Sequence, residues 1–103
     1  MTSTPISSSD AGPRRGRLYL ADLGDAQGTE PGKLRPVLVL QSDSLNLAAH
    51  RSTIVLPLTS KVRPGFTRLR VNLSKGEGGL NVDSDVMVDQ LRCIDNRRFR
   101  HAL

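Results

Sequence analysis

The sequence has 103 residues, the usual size of one domain with a single hydrophobic core. Its 15 lysines and arginines exceed its 10 aspartates and glutamates, and the resulting net charge of +5 fits either a polyanionic partner or a merely soluble surface. The only aromatic residues are Tyr19, Phe66 and Phe99, which excludes a platform of stacked rings that reads single strands. Cys93 is the only cysteine, so an internal disulfide and a four-cysteine zinc site are also excluded.

The N-terminal region shows no targeting signal. Residues 1–13 lack the basic and apolar segments of a secretory signal, and the longest apolar run, Val37 to Leu40, is far shorter than the roughly 18 residues of a membrane helix. We therefore expect a cytoplasmic protein that does not contact a membrane. The polar composition of residues 1–13 predicts a disordered tail, followed by one domain over residues 14–103.

The first half of the domain predicts strands separated by loops. Arg17 to Leu23 alternates with the period of a strand, and residues 25–34 have the Gly and Pro content of a long loop. The apolar run after Pro36 predicts a strand over residues 37–40 that is buried on both sides. Residues 42–50 combine capping residues with leucines and predict one or two helical turns.

The second half continues this pattern. Thr53 to Thr59 predicts a buried strand, in which Pro57 indicates an edge position or a bulge. Asp85 to Ile94 predicts one long strand with Val86, Val88 and Leu91 towards the core, and residues 96–103 predict at most one helical turn. Thr67 to Leu73 predicts a half-buried strand whose inner face carries Leu69, Val71 and Leu73, and whose outer face carries Arg68, Arg70 and Asn72. The fold class is mostly β, a small antiparallel barrel or open sheet of five or six strands with one or two short helices.

Polar residues at two strand ends are candidates for chemistry. Glu30, Lys33 and Arg35 precede one predicted strand, and Thr59 lies at the end of the next. If these strands are antiparallel neighbours, Arg35 and Thr59 lie at the same edge of the sheet. A guanidinium beside a hydroxyl suits a phosphate group, although residues of these types are also ordinary at strand ends.

The remaining charged residues point less clearly to a site. We predict no metal and no cofactor, because the sequence has only two histidines and its acidic residues at strand spacing fit a solvated face or turn caps better than a metal cluster: Asp83, Asp85 and Asp89. A stretch without any acid is either a solvated strand face or a track for phosphates, and it contains Lys61, Arg63, Arg68, Arg70 and Lys75.

Five segments, in this order and at these separations, resemble the MazF/PemK (Kid) family of toxin endoribonucleases, from about Arg15 to Asp95. They are Arg15-Gly16-Arg17-Leu18-Tyr19-Leu20; Gly28-Thr29-Glu30 with Lys33-Leu34-Arg35-Pro36-Val37-Leu38-Val39; Pro57-Leu58-Thr59-Ser60-Lys61; Gly76-Glu77-Gly78-Gly79-Leu80; and Asp83-Ser84 with Asp89-Gln90-Leu91-Arg92.

The resemblance implies an SH3-like barrel of the CcdB/PemK type that works as a homodimer. It also implies metal-independent, sequence-specific cleavage of single-stranded RNA, with mRNA as the expected target, and neutralisation by a cognate antitoxin with an acidic segment. By motif, Arg35 and Thr59 would be the catalytic pair, and Glu30 would be a base or would orient Arg35. The RNA would contact Lys33, Ser60, Lys61, Phe66, Arg68, Arg70 and Gln90.

Two other functions fit the same fold. One is a toxin that binds gyrase without cutting RNA, and the other is a non-catalytic member that keeps only antitoxin or RNA binding. The set of Glu30, Arg35 and Thr59 favours the endoribonuclease, because a gyrase-binding protein does not need a pair of side chains that activates a phosphate.

Overall fold

The structure, a computed structural model, describes residues 12–25, 28, 32–65 and 68–103. In this part of the chain it contains seven strands, one α-helix and three 3-10 turns. The strands and the helix are β1 (Leu18–Asp22), β2 (Leu34–Val39), α1 (Asp43–Leu47), β3 (Ser52–Thr59), β4 (Arg70–Leu73), β5 (Ser84–Met87), β6 (Arg92–Asp95) and β7 (Phe99–Ala102). The 3-10 turns are Glu77–Gly79, Val88–Gln90 and Asn96–Arg98.

The strands form one antiparallel sheet in the order β4-β5-β3-β2-β1-β7, with β6 paired to β3 outside this path. This confirms the predicted mostly β, antiparallel fold with little helix. Of the two predicted forms, the sheet is the open one, because β4 and β7 lie at opposite ends of the order. The central strand β3 therefore carries three neighbours, β2, β5 and β6.

Two apolar cores lie on opposite faces of the central strands. Successive side chains of a strand point to opposite faces, so each strand supplies both cores. One core includes Tyr19, Val37 and Val55, and the other includes Leu18 and Leu56. This is why the apolar runs of β2 and β3 are nearly continuous in the sequence.

The first half of the chain differs from its prediction at two strands. β2 begins at Leu34 rather than after Pro36, so Arg35 lies within the strand and pairs with Ala21 of β1. β3 is an interior strand, and the predicted edge position of Pro57 is wrong. Residues 52–55 of β3 pair with β6, and residues 58–59 pair with β5. Pro57 lies between these two parts, so its missing N–H interrupts neither the pairing with β6 nor that with β5.

The second half differs more. The predicted long strand over residues 85–94 is two strands, separated by the turn Val88–Gln90, and Val88 and Leu91 are exposed rather than in the core. The chain end is not only a helical turn: after Asn96–Arg98 it forms β7, which pairs with β1 and buries Phe99 completely.

Strand β4 follows the predicted alternation only in part. It is shorter than predicted, and of the three residues assigned to its inner face Leu69 and Val71 are about half exposed, whereas Leu73 packs against the core that includes Leu18 and Leu56. Arg70, which was assigned to the outer face, has a side chain that is only 17% exposed. The alternation of residues 67–73 therefore predicted the strand and the inward position of Leu73, but β4 is an edge strand that pairs only with β5, and Val71 remains exposed.

Of the predicted disordered tail, residues 1–11 lie outside the described residues. The described chain begins at Gly12, and Pro13 is buried. No helix within the described ranges has the length and apolar character needed to cross a membrane.

Candidate active site

Arg35 is held at the start of β2 by two backbone carbonyl groups. Its Nε donates to the Gly32 carbonyl at 2.9 Å, and one terminal nitrogen donates to the Leu58 carbonyl at 3.1 Å. The second contact places the guanidinium beside the end of β3, next to Thr59. Partial burial lowers the pKa of Arg35 from its usual value, but a guanidinium remains a cation at neutral pH. No carboxylate among the described residues forms an ion pair with it.

Thr59 ends β3, and its hydroxyl organises the loop that follows. The Thr59 Oγ1 accepts a hydrogen bond of 3.2 Å from the amide of Lys61. A hydroxyl oxygen that accepts on one side presents its proton on another, so Thr59 remains able to donate. The backbone of Thr59 is fixed by its pairing with Asp85 of β5.

Arg35 and Thr59 line the same cavity, which has a volume of about 570 Å³. The pairing of β2 with β3 confirms that these strands are antiparallel neighbours. It brings Arg35 and Thr59 to one edge of the sheet, as the sequence predicted. Ser60 and Lys61, which were predicted to contact RNA, line this cavity as well. The cavity therefore combines two cationic side chains with the hydroxyls of Thr59, Ser60 and Ser84, a donor set suited to a phosphodiester.

The other predicted residues are more widely spread. Lys33 is exposed beside the cavity, in a left-handed backbone conformation with φ of 65°. Arg68 is exposed in the turn before β4, and Gln90 is half-buried in the turn Val88–Gln90; neither lines the cavity. Glu30 and Phe66 lie outside the described residues.

Arg70 faces the protein rather than solvent. One of its terminal nitrogens lies 3.5 Å from Asp85 Oδ2, and the same nitrogen donates to the Lys61 carbonyl at 3.5 Å. Asp85 is 2% exposed, so the expectation of a solvated face is wrong for this acid, whereas its bond to the Arg63 amide fits the alternative of a turn cap. The outward basic face predicted for Arg68 and Arg70 is thus limited, within the described residues of this segment, to Arg68.

Sequence reasoning missed the contribution of the chain end to this cavity. His101 of β7 and the adjacent Leu103 both line it, because β7 pairs with β1 and brings residue 101 opposite Leu20. Residues 99–103 do not alternate apolar and polar residues, so the sequence offered no clear signal for this strand.

Gly79 allows the close approach of the chain end. It has φ of 84°, and a Cβ at this position would lie 2.5 Å from the carbonyl carbon of Leu103. A side chain at residue 79 would therefore strain the backbone and push the chain end out of the cavity wall.

No group of three or more His, Cys, Asp and Glu side chains that could hold a metal ion is found among the residues that the structure describes. The three acids considered in the sequence have separate surroundings. Asp83 is exposed and accepts from the Lys75 amide, Asp89 is exposed, and Asp85 is buried beside Arg70.

The chain is similar to proteins of known family. The family of PemK-like, MazF-like toxins of type II toxin-antitoxin systems matches residues 14–103. The chain is 34% identical over 90 residues to Endoribonuclease MazF of Staphylococcus saprophyticus, which covers 87% of this chain and 74% of the relative.

Two solved structures from Deinococcus radiodurans have the same fold. The crystal structure of MazF has a TM-score of 0.68 and 28% identity, and the match covers 88% of this chain and 79% of that one. The crystal structure of MazE-MazF has a TM-score of 0.62 and 27% identity, with 88% and 81% of the two chains covered. Because the family match spans the whole domain and includes the cavity, the chain belongs to the PemK-like, MazF-like toxins of type II toxin-antitoxin systems.

Proposed function

We propose that this protein is an endoribonuclease toxin that cleaves single-stranded RNA at short sequence motifs, with mRNA as its target. The observation that carries the proposal is the cavity shared by Arg35 and Thr59, in which the guanidinium is fixed by backbone carbonyls and no described carboxylate neutralises it. The likeness to Endoribonuclease MazF supports the same activity and favours it over a gyrase-binding or non-catalytic toxin.

The side chains suit attack by the RNA's own 2′-hydroxyl on the adjacent phosphate. The 2′-oxygen forms a bond to phosphorus and loses its proton, and the bond to the 5′-oxygen breaks as that oxygen gains a proton. The products are a 2′,3′-cyclic phosphate and a 5′-hydroxyl. Arg35 stabilises the negative charge of the transition state, and Thr59 donates to a nonbridging oxygen; donors placed for developing charge are usually the largest catalytic contribution.

Proton transfer needs a different group, because a guanidinium is a poor base at neutral pH. Two side chains are candidates for it. Glu30 matches the family acid by motif and either takes the proton or orients Arg35, and His101 lines the cavity with an imidazole, the side chain most often used in general acid–base catalysis.

The RNA backbone would enter past the exposed polar and basic groups around the cavity. Ser60 and Lys61 line it, and Lys33 and Arg68 are exposed nearby in the chain. Phe66 and Gln90 complete the proposed contacts by motif. Contacts to phosphates fix the position of the strand, whereas contacts to base edges would set the cleavage motif.

The partners follow from the same surface. We expect a cognate antitoxin whose acidic segment competes with RNA for the basic groups, which agrees with a net charge of +5 and with the MazE-MazF complex of the Deinococcus neighbour.

We also propose that the protein forms a homodimer. The exposed apolar side chains of Leu69, Val71 and Val88, close to edge strand β4, support an interface between two copies.

Arg35→Ala tests the catalytic assignment. Removal of one donor to the developing charge usually costs about 10²–10³ in rate, and we expect cleavage of a mixed RNA pool, followed by mapping of the 5′ ends, to fall by at least this much. Arg97→Ala is the matched control, because it removes an arginine whose side chain is 91% exposed and lies outside the cavity.

Two measurements accompany this test. The thermal midpoint of Arg35→Ala should stay near that of the wild type, and excess EDTA should leave wild-type cleavage as fast as it is with magnesium. A folded Arg35→Ala protein that cuts at the wild-type rate contradicts the assignment of Arg35. Loss of cleavage in EDTA that magnesium restores contradicts the metal-independent mechanism.

A further inference from the structure

A buried carboxylate lies behind the proposed active site. Asp85 is 2% exposed, and it is paired across the sheet with Thr59. Burial disfavours a charged carboxylate unless hydrogen bonds and a counter-charge compensate for it. The question is what this acid holds in place.

Asp85 uses both oxygens on groups of other segments. Its Oδ2 accepts a bond of 2.8 Å from the Arg63 amide and lies 3.5 Å from Arg70, and its Oδ1 accepts from the Asn72 side chain at 3.1 Å. Burial is the largest influence on the pKa of Asp85 and acts to raise it. The Arg63 amide, Asn72 and Arg70 together outweigh burial, and the pKa is lowered. Asp85 is therefore an ionised group in a built network.

This network holds the loop of residues 60–63 from one end, and Thr59 holds it from the other. Asp85 binds the Arg63 amide, and Arg70, itself beside Asp85, donates to the Lys61 carbonyl. The Lys61 amide in turn donates to the Thr59 hydroxyl. A shift of this loop would thus change both the direction in which Thr59 donates and the position of Lys61 in the cavity.

We propose that Asp85 is a positioning residue of the nuclease: with Arg70 as its counter-charge, it fixes the loop of residues 60–63 so that Thr59 and Lys61 face the scissile phosphate. Arg70 then binds the loop, through the Lys61 carbonyl, rather than the RNA backbone. This inference rests on the proposed function, because it assigns a role in that reaction. It adds a residue that does not itself touch the substrate.

The experiment compares Asp85→Asn with Asp83→Asn. An asparagine removes the charge opposite Arg70 and presents an NH2 group in place of one of the two oxygens that accept from Arg63 and Asn72. Asp83 is exposed and lies outside the cavity, and Asp83→Asn is the matched loss of one charge from the same segment. Because misplacement of about 1 Å can cost 10²-fold in rate, we expect kcat of Asp85→Asn to fall by about 10- to 100-fold.

Two further readouts separate positioning from general destabilisation. Affinity for an uncleavable RNA with a 2′-deoxy substitution at the cut site should fall by a smaller factor than kcat, since the phosphate contacts outside the loop of residues 60–63 remain. Amide hydrogen exchange, measured by NMR at a temperature where all variants are folded, should accelerate at Lys61 and Arg63 in Asp85→Asn but not in Asp83→Asn.

The outcomes are distinguishable. If wild-type protein does not cleave RNA, the proposed function fails, whereas the exchange data still report whether Asp85 holds the loop. If wild-type protein cleaves RNA and Asp85→Asn keeps its kcat, or loses kcat without faster exchange at Lys61 and Arg63, the positioning role is overturned. Should Asp85→Asn not fold, Arg70→Gln carries the same expectations for kcat and for exchange, because it removes the donor to the Lys61 carbonyl.

Discussion

At the scale of single residues, two arginines with similar sequence surroundings have different partners. Arg35 and Arg70 both lie in strands beside leucines, but Arg35 donates only to carbonyl groups within the described residues, and Arg70 lies against the buried Asp85. A guanidinium without a counter-charge can meet a phosphate, whereas one already paired would first have to break its ion pair. The chemistry of each therefore depends on its partner, which a residue type alone does not reveal.

The acid stability of the protein tests the charge state of Asp85. Since the pKa of Asp85 is lowered in the folded protein, its contribution is present above the unfolded-state pKa of about 3.9 and is lost as pH falls through the folded-state value. We expect Asp85→Asn to lower the free energy of unfolding by roughly 1–3 kcal/mol at pH 7. The difference from wild type should narrow as pH falls below about 4, because the carboxylate of the unfolded wild type then takes up a proton while that of the folded protein stays ionised, and it should be smallest once both are protonated.

Urea unfolding from pH 7 down to about pH 3 measures this difference. Asp83→Asn, measured in parallel, gives the effect of removing an exposed carboxylate from the same segment. A difference between wild type and Asp85→Asn that stays constant across this range would show that Asp85 does not titrate below its ordinary pKa in the folded state.

At the scale of elements, the sequence predicted β1, β2, α1 and β3 well because each has a distinct local pattern. Continuous apolar runs and the Ser42 cap of α1 are local signals, and the cap accepts from the Ser44 amide as expected. It was also possible to predict that Arg35 and Thr59 share an edge, since two adjacent buried strands with a short connection pair antiparallel.

The other elements depend on contacts distant in the sequence. Val88 fits a core strand by its spacing from Val86, but the turn Val88–Gln90 redirects the chain so that β5 and β6 pair with different parts of β3. Likewise, β7 exists because β1 offers an open edge, and its short segment has little strand character of its own. The proximity of His101 to the cavity follows from this pairing and could not be predicted without it.

Substitutions of Phe99 and Leu91 test whether β7 or the predicted long strand contributes to the core. Phe99 is 0% exposed and packs edge to face with Tyr19 at 5.5 Å between ring centroids, whereas Leu91 is 53% exposed. Phe99→Ala should lower the free energy of unfolding by about 3–5 kcal/mol, because it leaves a cavity in the core. Leu91→Ala should change it by less than about 0.5 kcal/mol, as is usual at the surface.

Equilibrium urea unfolding followed by circular dichroism measures both variants. The sequence pattern alone predicts that Leu91→Ala is the more destabilising variant, because it puts Leu91 in the core and residue 99 in a segment with at most one helical turn. If Leu91→Ala proves the more destabilising of the two, β7 is not the integral strand that the structure shows.

At the scale of the whole molecule, a net charge of +5 says that a polyanion is attracted but not where it binds. Affinity for single-stranded RNA falls with salt, and the slope of log K against log salt decreases by about 0.7 for each phosphate contact that is lost. The slope is therefore a count of local contacts, and two variants with the same net charge can differ in it.

Arg68→Gln and Arg70→Gln form such a pair. Arg68 is exposed and proposed to contact a phosphate, so its loss should reduce the slope by about 0.7. Arg70 lies 3.5 Å from Asp85 with a side chain that is 17% exposed, so its loss should leave the slope at the wild-type value.

Fluorescence anisotropy with an uncleavable RNA across a series of salt concentrations measures both slopes. If the slopes of both variants fall equally, RNA responds to the overall charge of the protein, and the assignment of different roles to Arg68 and Arg70 is wrong. If the slope falls only in Arg70→Gln, Arg70 leaves Asp85 to bind the RNA backbone, and RNA must rearrange the loop of residues 60–63.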